Sequence, residues 1–223
     1  MRENRGVNHA FPCPGDDVLN DLSGMKLVHE YSKIRPGLFH WQEYEPLVKC
    51  DCSSSAVVTP SGLIFIDPIP LEDEVLQEMV AESFSSPAAV VLTSGNHQRE
   101  SLALARRFGM PIFAPESAGD DIIADQRFRS GDPIASMESH SLPGFGPGET
   151  AFFYDGVLIL GDAVINLAPE GLRLLPEKYR EDKKQSLRSL TALKELSPNT
   201  LLFAHGNPIV DRAKQRLEVI LDS

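Results

Sequence analysis

The sequence predicts an α+β or α/β protein of mixed β-sheets with helices over their faces, and three observations predict it. The segments "LIFI" (Leu63–Ile66) and "VLIL" (Val157–Leu160) are apolar at every position, so both faces of each strand must be covered. Two hairpin signals stand out, Pro60-Ser61-Gly62 and Asp155-Gly156. Between them the hydrophobic period switches from that of strands to that of helices and back.

Each element follows from its residues. "KLVHEYSKIRPGLFHWQEY" supplies β-rich pieces around an Arg35-Pro36-Gly37 turn, and "SSAVVTPSGLIFIDP" is a hairpin of Ala56–Val58 and Leu63–Ile66. "LEDEVLQEMVAESF" carries Val75, Leu76, Met79 and Val80 at helical spacing. "AAVVLTS" is a short buried strand, "RESLALARRFG" a helix ended by Gly109, and "MPIFAP" another strand. The second half has the hairpin "ETAFFYDGVLILGDAV" and one long helix over "EDKKQSLRSLTALKEL". A core strand in "NTLLFAHGNPI" and the amphipathic helix "DRAKQRLEVILDS" close the chain. Two halves of hairpin followed by α/β layer thus succeed one another without a linker. Residues 1–25 read as a polar N-terminal arm and 26–223 as one domain.

Composition narrows the function classes. At 223 residues, 42% hydrophobic and 24% charged, the chain can bury a core without staples. A net charge of −11 argues against nucleic acid, which demands a concentrated basic surface. No apolar run approaches the ~20 residues that span a bilayer, and the polar start has no apolar signal core, so the expectation is a cytoplasmic protein that avoids membranes. Three cysteines, Cys13, Cys50 and Cys52, are too few for a disulfide framework. "KCDCS" lacks a second cysteine pair or a neighbouring histidine cluster, so reduced, buried thiols are expected there in preference to zinc.

Three strands end in polar residues, "LTSGNH", "LILGD" and "LFAHGN", and strand ends are where sheet enzymes usually keep their chemistry. With these segments in place the chain resembles the metallo-β-lactamase superfamily from about Leu38 to the last strand. "GLIFIDP" is similar to the family's strand ending in Asp-Thr-Gly. "VVLTSGNHQRESLALARRFGMPIFAP" is similar to the strand, loop and helix that normally read T-H-x-H-x-D-H. "LPGFGPGETAFFYDGVLILGD" resembles P-G-H-T-P-G-S with a hairpin and Gly-Asp, and "LLFAHGNP" the closing G-H-G strand. The resemblance implies a four-layer αββα sandwich.

It also implies a loss. With Thr93 on the motif's Thr, the ligand positions carry Ser94, Asn96, Gln98 and Arg99, and Phe145 replaces the histidine of P-G-H. Asp162, which bridges two metals in the family, and His205, which binds one of them, survive together with Pro143, Gly144, Pro147, Gly148, Gly161 and Gly206. A catalytic zinc usually takes three His, Asp, Glu or Cys ligands, neutral amides are poor ones, and a guanidinium is always charged. The two-metal centre is therefore expected to be gone.

Three readings remain. In the first the protein has no cofactor, and a residual pocket of Ser94, Asn96, His97, Arg99, Phe145, Asp162 and His205 binds a small polar or anionic molecule. An Asp162–Arg99 pair then replaces a metal's charge. In the second, a hydrolase of this superfamily uses His97, Asp162 and His205 as catalytic residues on one zinc, iron or manganese ion. In the third, the protein is a scaffold that self-associates into a homo-oligomer through its closing helices. His9, His29, His40 and His140 lack ligand spacing, and Ser94 and Ser141 lack the G-x-S-x-G elbow of a nucleophile.

Overall fold

Alternate residues of the central strands enter two different cores, and this alternation sets the layering. The computed structural model describes residues 25–222. Its larger sheet has seven strands in sequence order: β1 (Ser32–Arg35), β2 (Leu38–Glu45), β3 (Cys50–Thr59), β4 (Gly62–Ile66), β5 (Pro87–Val91), β6 (Ile112–Pro115) and β7 (Gln126–Phe128). Pairing is antiparallel through β4 and parallel from β4 to β7. Parallel neighbours need long crossovers, and helices α1 (Asp73–Ser83) and α2 (Ser101–Phe108) make the first two.

The smaller sheet uses β8 (Pro133–Ile134), β9 (Met137–Ser141), β10 (Thr150–Tyr154), β11 (Val157–Leu160) and a late strand separated from them by the hairpin β12 (Val164–Leu167) and β13 (Gly171–Leu174). That strand, β14 (Thr200–Phe203), runs parallel to β11, giving the order β14-β11-β10-β9-β8. Helices α3 (Lys183–Ser189), α4 (Thr191–Lys194) and α5 (Ala213–Leu221) belong to this half.

Val57, Ile64, Ile66 and Val91 meet Phe152, Val157, Ile159 and Leu202 between the two sheets. The residues between them point outward. Ala56, Leu63, Phe65 and Val90 pack on Leu76 and Met79 of α1 and Leu104 of α2. Leu158, Leu160, Leu201 and Phe203 pack on Leu190, Leu193 and Leu217. The result is helix, sheet, sheet, helix, the four-layer αββα sandwich expected, and it explains strands that are apolar on both faces.

The structure departs from the sequence expectation in three places. Strand β3 begins at Cys50, well before Ala56, although Ser53, Ser54 and Ser55 are buried. Buried hydroxyls are tolerated when bonded. Ser54 Oγ donates to Asp67 O (2.6 Å) and accepts from Ile69 N (2.8 Å), and Ser53 Oγ donates to Gly206 O (3.0 Å). The expected long helix is broken between α3 and α4. Ser186, Ser189 and Thr191 hydroxyls each bond the carbonyl three residues back, at 3.0, 2.8 and 2.7 Å, competing with the regular helical pattern. Strands β7 and β8 and the hairpin β12–β13 escaped notice because two to four residues show no clear alternation. Of the expected arm, only Met25 falls within the described residues. Among these, no helix is long and apolar enough to cross a membrane.

Gly206, just past β14, is a required glycine. Its φ of +97° is unfavourable for other residues, and an added Cβ would lie 2.1 Å from Asn166 O. Gly206→Ala is expected to lower the unfolding free energy by about 2 kcal/mol or more in urea melts; an unchanged melting midpoint would contradict the fold at this corner.

Candidate functional site

The ends of β4, β5, β11 and β14 converge on one small polar cluster. Past β5, Thr93 is anchored by Asp67 at the end of β4: Thr93 N donates to Asp67 Oδ1 (2.8 Å) and Thr93 Oγ1 donates to Asp67 Oδ2 (2.5 Å). Asp67 itself takes a left-handed backbone (φ 47°), a conformation Asp tolerates better than most residues. The chain then turns through the short 3-10 segment Gly95–His97, whose start Ser94 caps by accepting from Asn96 N at 3.2 Å.

That turn aims His97 inward. Its Nδ1 lies 2.8 Å from Thr93 Oγ1 and 3.1 Å from Asp67 Oδ2. Because Thr93 gives its own proton to Asp67, His97 Nδ1 is placed as the donor. The other nitrogen, Nε2, sits 3.3 Å from Asp162 Oδ1 but without hydrogen-bond alignment, a buried atom with no hydrogen-bond partner among the described residues. His97 is 1% exposed.

His205 mirrors it from β14. Its Nδ1 lies 3.0 Å from the Asp51 carbonyl, and its Nε2 lies 3.2 Å from the same Asp162 Oδ1. The two rings stand 5.6 Å apart, tilted by 60°. Asp162 follows Gly161, where a Cβ would come within 2.7 Å of Thr93 Oγ1, so glycine is what lets the carboxylate approach. Asp162 Oδ2 accepts from the half-buried Asn96 amide at 3.2 Å.

Three atoms therefore converge: His97 Nε2, His205 Nε2 and an Asp162 oxygen, all within 4.8 Å of one another. Each histidine has its remote nitrogen held by an oxygen, which fixes the ring and the tautomer. This is the arrangement that metal-ligating histidines usually show. The orphaned His97 Nε2 and the donor set fit one zinc-like or iron-like ion.

Arg99 is also drawn in, but not onto Asp162. From a left-handed backbone (φ 39°) its Nη1 donates to the carbonyls of Ser53 (2.8 Å) and Asp67 (3.2 Å), and Nη2 donates to Ala204 O (3.3 Å). Nη2 also approaches His205 Nε2 at 3.5 Å. The expected Asp162–Arg99 pair is thus replaced by a pair of histidines on Asp162 and three carbonyls on Arg99. The carbonyl staple needs a short reach from the turn, which the left-handed backbone provides.

Two other expected pocket residues are structural. Phe145 is buried in the core beneath the smaller sheet, with the Arg180 guanidinium 5.5 Å from its ring. Ser94 is fully buried; its Oγ caps the turn and also lies 3.4 Å from His97 Nδ1, behind the ring. Gln98 donates to Ile123 O, away from the cluster (2.7 Å). His29 pairs with Glu72, while His40 is buried beside Gly206 and its Nε2 has no hydrogen-bond partner among the described residues.

Two further residues, Asp67 and Glu149, take part in the cluster. Asp67 was visible as the end of "GLIFIDP" but not as the orienter of His97. Glu149 stands where P-G-H-T-P-G-S has serine. It is buried behind Gly161, and its Oε1 accepts from Ala163 N at 2.8 Å. Burial and then the nearby Asp162 charge push its pKa up to about 8. No histidine cluster was expected beside "KCDCS", and one histidine does reach it. His205 Nδ1 lies 3.4 Å from Cys50 Sγ, across 155 residues of sequence that no local motif spans.

Electrostatics favour charge in the metal-free cluster. Burial works against protonating His97 and Arg99 opposes it too, but Asp162 and Asp67 outweigh both and raise its pKa from 6.5 to about 9. For His205, burial is again overcome, by Asp162 and Cys52, and the pKa rises to about 10. Burial disfavours the Asp162 carboxylate, yet the two imidazoles hold its pKa well below the ordinary range.

A family model described as the metallo-beta-lactamase superfamily matches residues 30–223. Among solved structures, DIM-1 metallo-β-lactamase exposed to ceftazidime is similar with a TM-score of 0.67 at 12% identity, over 89% of this chain and 98% of that one. A metallo-β-lactamase from Pontibacter korlensis gives 0.67 at 15% identity, over 86% and 97%. A metallo-β-lactamase family protein from Thermus thermophilus gives 0.61 at 18% identity, over 85% and 80%. Identities this low speak for the fold alone. No curated protein matches the chain.

The raised histidine pKa values set a pH dependence. A proton held more tightly in the folded than in the unfolded protein stabilises the fold fully below 6.5, and that stability is lost as pH rises through 9 and 10. Chelator-treated protein is therefore expected to lose stability in urea melts from neutral pH up to about 10. Asp162→Asn should flatten that slope and bring both imidazoles down in an NMR titration.

Proposed function

Because the chain belongs to the metallo-β-lactamase superfamily, we propose that it keeps the family's site at these strand ends but holds one metal ion there, on His97, Asp162 and His205, and serves as a hydrolase for a small polar substrate. The observation that carries this reading is the convergence of two oriented Nε2 atoms and one carboxylate oxygen within 4.8 Å. Zinc, iron and manganese suit imidazole and carboxylate donors. When bound, such an ion supplies Lewis-acid polarisation of a carbonyl or phosphoryl oxygen.

The chain's own residues do the rest. Asp67 and Thr93 hold the His97 ring through Nδ1, and the Asp51 carbonyl holds the His205 ring. Asn96 donates to the outer oxygen of Asp162 and orients it. Asp162 is 9% exposed and Asn96 half-buried, so substrate reaches the cluster on their side. Glu149 lies buried behind the carboxylate, and burial together with the Asp162 charge pushes its pKa up.

A second reading, a metal-free pocket for a small polar or anionic ligand, is favoured by one observation. The Arg99 guanidinium lies 3.5 Å from His205 Nε2, where its charge opposes a dication. Elemental analysis separates the two. Protein purified without chelators is expected to contain zinc, iron or manganese, and His97→Ala and Asp162→Ala are each expected to carry one equivalent fewer. Hydrolysis of an ester, thioester or phosphodiester panel should vanish with chelator and return with metal. Metal content identical in wild type and both variants would leave the metal-free pocket as the reading to pursue. Asp67→Asn, which alters the carboxylate that anchors Thr93 and faces the back of the His97 ring, is expected to weaken metal binding roughly 10–100-fold.

A further inference from the structure

Behind the His205 ring lies a second donor cluster, which shares that imidazole with the reading above and adds two thiols that it does not use. Cys50 and Cys52 occupy alternate positions of β3 and so face the same side of the sheet, and both thiols are buried and free. The two Sγ atoms and a His205 ring nitrogen all lie within 4.8 Å of one another, with Cys50 Sγ 3.4 Å from Nδ1. Two sulfurs and one imidazole nitrogen at that spacing are a soft donor set, the kind that selects zinc or cuprous copper.

A second observation points to negative charge at the same place. Arg99 is 8% exposed, and its guanidinium donates to the carbonyls of Ser53 and Ala204, the residues that follow Cys52 and precede His205. Among the described residues it has no carboxylate in direct contact, and a buried cation without an anion is costly. Thiolate at the neighbouring cysteines supplies that anion.

We propose that Cys50, Cys52 and His205 Nδ1 form a thiolate-rich site for a soft or borderline cation such as zinc, set back to back with the His97–Asp162–His205 cluster across one imidazole ring. The sulfurs bind as thiolates and Nδ1 binds deprotonated, so whatever protons these three atoms carry in the free protein leave to solvent. Strand geometry favours a metal over a disulfide, because residues two apart on an extended strand sit at the far limit of the Cα separation a disulfide spans. The site's existence does not depend on the His97 cluster being metallated.

Cobalt(II) is the probe, added to the full-length, reduced and chelator-stripped protein. The expected result is a thiolate-to-cobalt charge-transfer absorption in the near ultraviolet, growing to one equivalent. It should persist in His97→Ala and in Cys13→Ser, whose cysteine lies outside the described residues, and vanish in Cys50→Ser and Cys52→Ser. Survival of the band in His97→Ala supports the thiolate site even if that variant shows no loss of other metal, which would count against the single-ion hydrolase alone. Absence of the band in wild-type protein with titratable thiols overturns the proposal, whether or not cobalt binds elsewhere. A band that disappears in His97→Ala but stays in Cys52→Ser overturns it too. Since the wild-type spectrum alone decides the first of these outcomes, a cysteine variant that fails to fold leaves the test intact.

Discussion

One buried guanidinium ties the site together. Arg99 reaches the carbonyls of Ser53 on β3, of Asp67 at the end of β4, and of Ala204 at the end of β14. Hydrogen bonds from a charged donor are worth about 1.5–3 kcal/mol each, and leaving such carbonyls unpaired in the interior costs a comparable amount. The position of His205, and through it the geometry around Asp162, depends on this staple. The larger sheet and the smaller sheet are thereby joined at their functional edge by a cation and not by apolar packing alone.

The same residue keeps three strand ends ordered with a charge that belongs to the chain itself. Where the family places a histidine, this chain has a fixed positive charge that needs no ion to hold the strand ends. His97, one position along from a motif histidine, turns inward on the Asp67–Thr93 pair and restores a nitrogen facing Asp162. A ring nitrogen thus faces the carboxylate from one position further along the turn.

Much of this was legible in the residues. "LIFI" and "VLIL" announce covered sheets because alternate side chains feed two cores, and Asp155-Gly156 announces its hairpin through backbone chemistry. His97, Asp162 and His205 were legible as a set because polar residues at strand ends have few structural reasons to be there. What stayed hidden depends on side-chain direction or on distance along the chain. Phe145 aligns with a ligand position yet turns into the core, since alignment fixes a Cα and not where the ring goes. Cys50 and His205 meet only because β3 and β14 come from opposite halves. Arg99 read as a partner for Asp162, because charge pairing is the obvious guess when carbonyls cannot be seen. The serines of β3 looked unlike a buried strand because their compensating hydrogen bonds come from distant backbone.

The left-handed backbone at Arg99 constrains which side chain can stand there. That conformation prefers glycine or asparagine, while the three carbonyls require a long, forked cation. Few substitutions satisfy both, so tolerance at this position is narrow. A histidine in its place is too short to reach all three carbonyls at once. Any exchange here removes three anchors in one stroke, so the position acts as a keystone for the whole rim of strand ends.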